Sequence, residues 1–121
     1  MYYGSRFPVK AGDNIRMSVN ATSYNSGTST LENLTTGKKV TTPYNNMGYS
    51  LCLRDAEWII EFGGGATQFA NFGTWDIRNT AASGDNGQAT ADGGYITNVV
   101  IDGHQYTNCG ANTNGMRCTW Q

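Results

Sequence analysis

Residues 95–120 read YITNVVIDGHQYTNCGANTNGMRCTW. β-Branched and aromatic residues fill 95–101, Asp102-Gly103 interrupts them, and residues 104–108 resume the run. A two-residue Asp-Gly loop follows the right-handed twist of its flanking strands when both residues take positive φ. The spacing therefore predicts a β-hairpin closed by a type I′ turn. A second hairpin is expected over 109–118, around Asn114-Gly115. Its two cysteines flank the turn and face each other across an antiparallel pair, so a Cys109–Cys118 disulfide is geometrically reasonable. Closing so short a loop stabilises by about 2–3 kcal/mol in the chain-entropy model.

The same alphabet extends through the rest of the chain. In 14–22 (NIRMSVNAT), Ile15, Met17, Val19 and Ala21 alternate with Arg16, Ser18, Asn20 and Thr22. This period of two gives a strand with one buried face and one wet face, Asn20 lying on the wet one. Thr-rich runs at 29–33 and 39–42, joined through Thr35-Thr36-Gly37-Lys38, predict another hairpin in which Gly37 takes positive φ. Residues 56–62 (AEWIIEF) form a further expected strand. Trp58, Ile60 and Phe62 point to a core while Glu57, Ile59 and Glu61 point the other way. A strand bent near Gly73 is expected over 68–78 (QFANFGTWDIR), and 80–94, small and polar without periodicity, is expected to be a long surface loop. Helical periodicity is absent, so the predicted class is all-β, an antiparallel sandwich.

Bulk properties narrow the function. At 121 residues the chain is read as one domain, 1–121. A net charge of −1, with 14% charged residues and no basic stripe, argues against a nucleic-acid partner. No apolar run of about 18 residues is present to span a membrane, and residues 1–30 lack the charged start and apolar core of a signal peptide. Low charge, abundant Gly, Thr, Asn and Ser, and sequons at Asn20 and Asn33 point to an extracellular, N-glycosylated chain. Three cysteines leave one over, so Cys52 is free or bridges to another chain. No cofactor or metal is suggested. His104 beside its Asp-Gly turn reads as a surface histidine, and Trp58, Trp75 and Trp120 read as core rather than as the lining of a ligand groove.

Five segments carry a family resemblance: GDNIRMSVNATS at 12–23, STLENLTTGKKV at 29–40, LCLRDAEWIIEF at 51–62, ITNVVIDGHQYTNC at 96–109 and CTW at 118–120. Together, and in this order, they resemble the C-terminal half of the fungal glutamic endopeptidases, the eqolisins. The resemblance implies a concanavalin-like sandwich of two antiparallel sheets with an active site on the concave face. It also implies that the second glutamate of AEWIIE, here Glu61, is the catalytic one. A carboxylate facing a cleft can take a proton from water, the hydroxide attacks the scissile carbonyl, and a side-chain amide stabilises the oxyanion. Glu57 lies four strand residues away, roughly 13 Å, too far to share a proton with Glu61.

The chain also departs from the family pattern. The family's catalytic glutamine and its aromatic cleft segment belong to a part before anything present here. Gln68, Gln88, Gln105 and Gln121 do not stand in the glutamine motif, and Phe62 replaces the acidic residue that commonly follows the catalytic glutamate. The resemblance assigns the partner of Cys52 to the same missing half. The expectation is therefore a chain of peptidase descent, inactive alone, whose open sheets are covered by a homodimer or by a missing-half polypeptide. The alternative is a non-catalytic secreted β-sandwich that binds glycans or cell-surface proteins.

Overall fold

The computed structural model describes residues 4–61 and 70–121. The chain divides into two compact units, Met1–Asp55 and Ala56–Gln121. Among the described residues there is no α-helix, and every sheet is antiparallel.

The first unit opens with a 3-10 turn, Gly4–Arg6, and continues into β1 (Ile15–Ser23), β2 (Ser26–Asn33) and β3 (Lys39–Tyr44), in the sheet order β1-β2-β3. Its register follows side-chain chemistry. Met17, Leu31 and Val40 stand opposite one another in one row, and Arg16, Glu32 and Lys39 in the next, on the other face. Arg16 bonds Glu32 at 3.2 Å and the hydroxyls of Thr30 and Thr41 meet at 3.0 Å, so the wet face is laced by cross-strand pairs. Gly37 turns the β2–β3 connection at φ 74°, its N–H donating to the Asn33 carbonyl at 2.8 Å. The predicted strand is present, shifted by one residue, and the predicted hairpin is present with both strands longer than expected.

The alternation in β1 was expected to give one buried face. Instead Met17 is 59% and Val19 85% exposed. Period two tells which side chains share a face, but burial needs a second layer, and three strands make only one.

The second unit contains β4 (Thr74–Arg78), β5 (Ala82–Gly84), β6 (Gly87–Ala89), β7 (Val100–Ile101), β8 (His104–Gln105), β9 (Thr107–Asn112) and β10 (Gly115–Trp120). Its main sheet has the order β4-β10-β9. Cys118 stands opposite Cys109, with Cα atoms 4.0 Å apart and the sulfurs bonded as expected. Asp102 and Gly103 both take positive φ, 50° and 78°, giving the predicted type I′ turn between β7 and β8. Gly73, at φ 64°, makes the expected bend before β4. Gly115 is buried at φ 138°, where a Cβ would run into the Ile77 carbonyl. Only glycine lets β10 approach β4 this closely.

Three expectations need correction here. Residues 80–94 contain a hairpin, β5–β6, turned at Asp85-Asn86 and tied at its base by the Ala91 N–H donating to Thr80 Oγ1 at 3.0 Å. The first hairpin's ladder is confined to two residues on each side of its turn, and Thr107 leaves it to begin β9. No ladder forms over 56–61, where a strand was expected. Phe62, Gln68 and Phe69 lie outside the described residues.

The core is thin. Among the described residues, Phe7, Ala91 and Cys118 are the buried apolar side chains, and Asn33, Thr42, Thr80 and Thr107 are the buried polar ones. Among the described residues every buried side-chain polar atom is hydrogen-bonded, as low-dielectric burial requires.

Candidate active site

Glu61 ends the described part of the AEWIIE segment. Trp58 and Ile60 are half-buried while Glu57, Ile59 and Glu61 are exposed, Ile59 at 53%. The alternation read from sequence is therefore present in burial although no ladder holds the segment. Glu61 makes no hydrogen bond or ion pair with any described residue. An exposed carboxylate of this kind is free to hold a water or a substrate group.

Of the described glutamines, two have their amides hydrogen-bonded elsewhere. Gln105 Nε2 donates to the Thr107 carbonyl at 2.8 Å, and Gln121 Nε2 to Thr119 Oγ1 at 3.2 Å. Gln88 is exposed on β6. Among the described residues no side-chain amide is hydrogen-bonded to Glu61, and no group of three or more His, Cys, Asp or Glu side chains could hold a metal ion.

The other residues singled out by sequence take different places. Cys52 is an exposed free thiol, its Sγ 3.8 Å from Asp55 Oδ2. Asn20 is exposed on β1. Asn33 is 0% exposed, and the availability for a glycan that its sequon suggested is not present in the folded unit. Its Nδ2 donates to Asp13 Oδ2 at 2.7 Å, and its Oδ1 accepts from the N–H groups of Thr35 and Thr36 at 3.0 and 3.1 Å. A sequon is a local pattern, whereas this burial is set by the 10–13 turn folding over the end of β2. Trp58, Trp75 and Trp120 are half-buried, and Trp120 meets Tyr106 at 5.3 Å between ring centroids.

Two electrostatic features had no sequence signal. Asp13 is held below the usual aspartate range, first by the Lys10 backbone N–H and then by the Asn33 amide. Asp76 is lowered chiefly by its hydrogen bonds from Arg117, whose Nε and Nη2 reach Oδ1 and Oδ2 at 2.6 and 3.0 Å. Such forks depend on strand register, since Arg117 and Asp76 stand opposite each other across β10 and β4. They line a groove of about 810 Å³ on that sheet, together with Arg78, Asn108 and Asn112. Glu61 is not among its lining residues.

Among the described residues the chain is all-β and antiparallel, with one disulfide-clasped hairpin, and its relatives place this fold among the β-sandwich glutamic peptidases. Residues 1–120 match the model of the Peptidase A4 family, and the chain belongs to that family. It is 34% identical to scytalidopepsin B of Scytalidium lignicola over 127 residues, spanning 96% of this chain and 49% of that protein. It is 32% identical to aspergillopepsin-2 of Aspergillus niger, spanning 98% of this chain and 44% of that protein. The chain thus covers about half the length of these curated relatives. Among solved structures, aspergilloglutamic peptidase from Aspergillus niger superposes with a TM-score of 0.87 at 31% identity, over 97% of this chain and 71% of that one. Scytalido-glutamic peptidase with a transition state analog inhibitor gives 0.80 at 32% identity, over 95% and 61%.

Proposed function

We propose that this chain carries the glutamate side of a glutamic peptidase centre, with Glu61 as the general base. The observation that carries this reading is an exposed carboxylate at the end of the alternating 56–61 segment, in a chain matched by the family model from 1 to 120. A related peptidase was solved with the tripeptide Ala-Ile-His, which supports peptide as the substrate class. In the proposed reaction Glu61 takes a proton from water, the resulting hydroxide attacks the scissile carbonyl, and Glu61 returns the proton to the leaving amine. The oxyanion requires a donor, and the described glutamines are not placed to give it. In this proposal a second polypeptide supplies the amide, since none of Gln68, Gln88, Gln105 and Gln121 stands in the family's glutamine motif, and the chain alone is inactive.

The same reading accounts for the open sheet. The apolar face bearing Met17 and Val19 needs a covering layer, supplied by the polypeptide that brings the amide or by a second copy. Extracellular residence is part of the proposal, supported by the Cys109–Cys118 disulfide and by the fungal peptidase relatives.

The experiment is reconstitution. The chain is mixed with the part of scytalidopepsin B that it does not match, and cleavage of a denatured protein is followed over the carboxylate range, roughly pH 2 to 6. Cleavage in the mixture and none by either piece supports the proposal. Cleavage by the 121-residue chain alone refutes the external amide. Native mass with and without reductant then shows whether Cys52 links two chains.

A further inference from the structure

The second unit contains two Asn-Gly pairs, Asn86-Gly87 and Asn114-Gly115, and the fold holds them differently. In such a pair the glycine nitrogen can attack the preceding asparagine side chain, because glycine has no Cβ to obstruct the approach. The attack also requires the backbone between them to rotate.

Asn86 lies at the tip of the β5–β6 hairpin, whose ladder has three pairs ending at Gly84 opposite Gly87. Residues 83–90 are all exposed, and the Asn86 side chain makes no hydrogen bond with any described residue. The Thr80–Ala91 bond fixes the base of the hairpin but not its tip. A two-stranded ribbon this short is marginal by itself, so its turn opens at little cost.

Asn114 is held on both sides. Its carbonyl accepts from the Asn79 N–H at 2.8 Å, and its own N–H donates to Asn112 Oδ1 at 2.8 Å. The following Gly115 is buried and pairs with Asn112 on β9 and Arg78 on β4. Rotation there would break the register of the three-stranded sheet.

We infer that Asn86 is a site of spontaneous deamidation and that Asn114 is protected from it. The Gly87 amide proton passes to solvent base and the nitrogen attacks Asn86 Cγ. The new N–Cγ bond forms as the Cγ–Nδ2 bond breaks, and ammonia leaves. Water then opens the succinimide at either carbonyl, giving aspartate or isoaspartate. No oxidant, reductant or cofactor enters. The product places a carboxylate beside Asp85 and doubles the formal net charge of −1. The isoaspartate form also adds a backbone carbon to the turn and disrupts the Gly84–Gly87 pairing.

The test is incubation of the folded protein at mildly alkaline pH, with peptide mass spectrometry reading ammonia loss and its hydrolysis products at both positions. A parallel sample is held in denaturant. Modification at Asn86 should outrun that at Asn114 by about tenfold or more in the folded protein. Denaturant should remove the difference, and Asn86→Gln should abolish the new charge isoform. Equal folded rates, a faster Asn114, or an unmodified Asn86 while the denatured chain reacts at both positions would overturn the inference.

Discussion

The Asn33 side-chain amide donates to the Asp13 carboxylate at 2.7 Å while its carbonyl oxygen receives the Thr35 and Thr36 N–H groups. One fully buried residue thus ties the turn before β1 to the connection after β2. Asn33→Ala leaves those backbone N–H groups and the Asp13 oxygen without their partner. The expected cost is about 2–3 kcal/mol, read from the midpoint of urea unfolding at constant slope.

Asp13 also makes stability depend on pH. Its folded-state pKa lies below the ordinary 3.8, so the unfolded chain takes up the proton first as pH falls. The contribution is fully present above that ordinary value and is lost as pH drops through the lowered one. Asp76, lowered by Arg117, adds in the same direction and window. Thermal melts at a series of acid pH values should show a steeper loss of stability for the natural chain than for Asp13→Asn or Asp76→Asn. Equal slopes would contradict the assignment.

Gly115 sits where no other residue fits. Gly115→Ala both forces φ 138° on a residue with a Cβ and drives that Cβ into the Ile77 carbonyl. Destabilisation of at least about 2 kcal/mol is expected. Gly84→Ala, where a Cβ meets nothing within 4 Å, is the control and should change stability far less.

These particulars show what was legible in advance. Period two in 14–22, the Asp102-Gly103 turn and the spacing of Cys109 and Cys118 are local signals, and each reappears in the structure. The family was legible as well, because its segments recur in order along the chain. The β5–β6 hairpin was not, since Ala, Ser, Gly and Gln carry little strand propensity and only the turn and the Thr80–Ala91 tie define it. At 56–61 the facing of each side chain was legible and the ladder was not. Facing depends on the residue's own backbone, whereas a ladder depends on a distant strand. The Asp13–Asn33 and Asp76–Arg117 contacts join residues 20 and 41 positions apart, and no local pattern announces them.

The most direct test of the proposed role of Glu61 is the cleavage rate of the reconstituted mixture with Glu61→Gln in place of the natural chain. The account predicts a loss of about 10²–10⁴-fold in kcat, with binding of the complementary polypeptide unchanged and Glu57→Gln close to the natural rate. Undiminished cleavage by Glu61→Gln, or a comparable loss in Glu57→Gln, would contradict it.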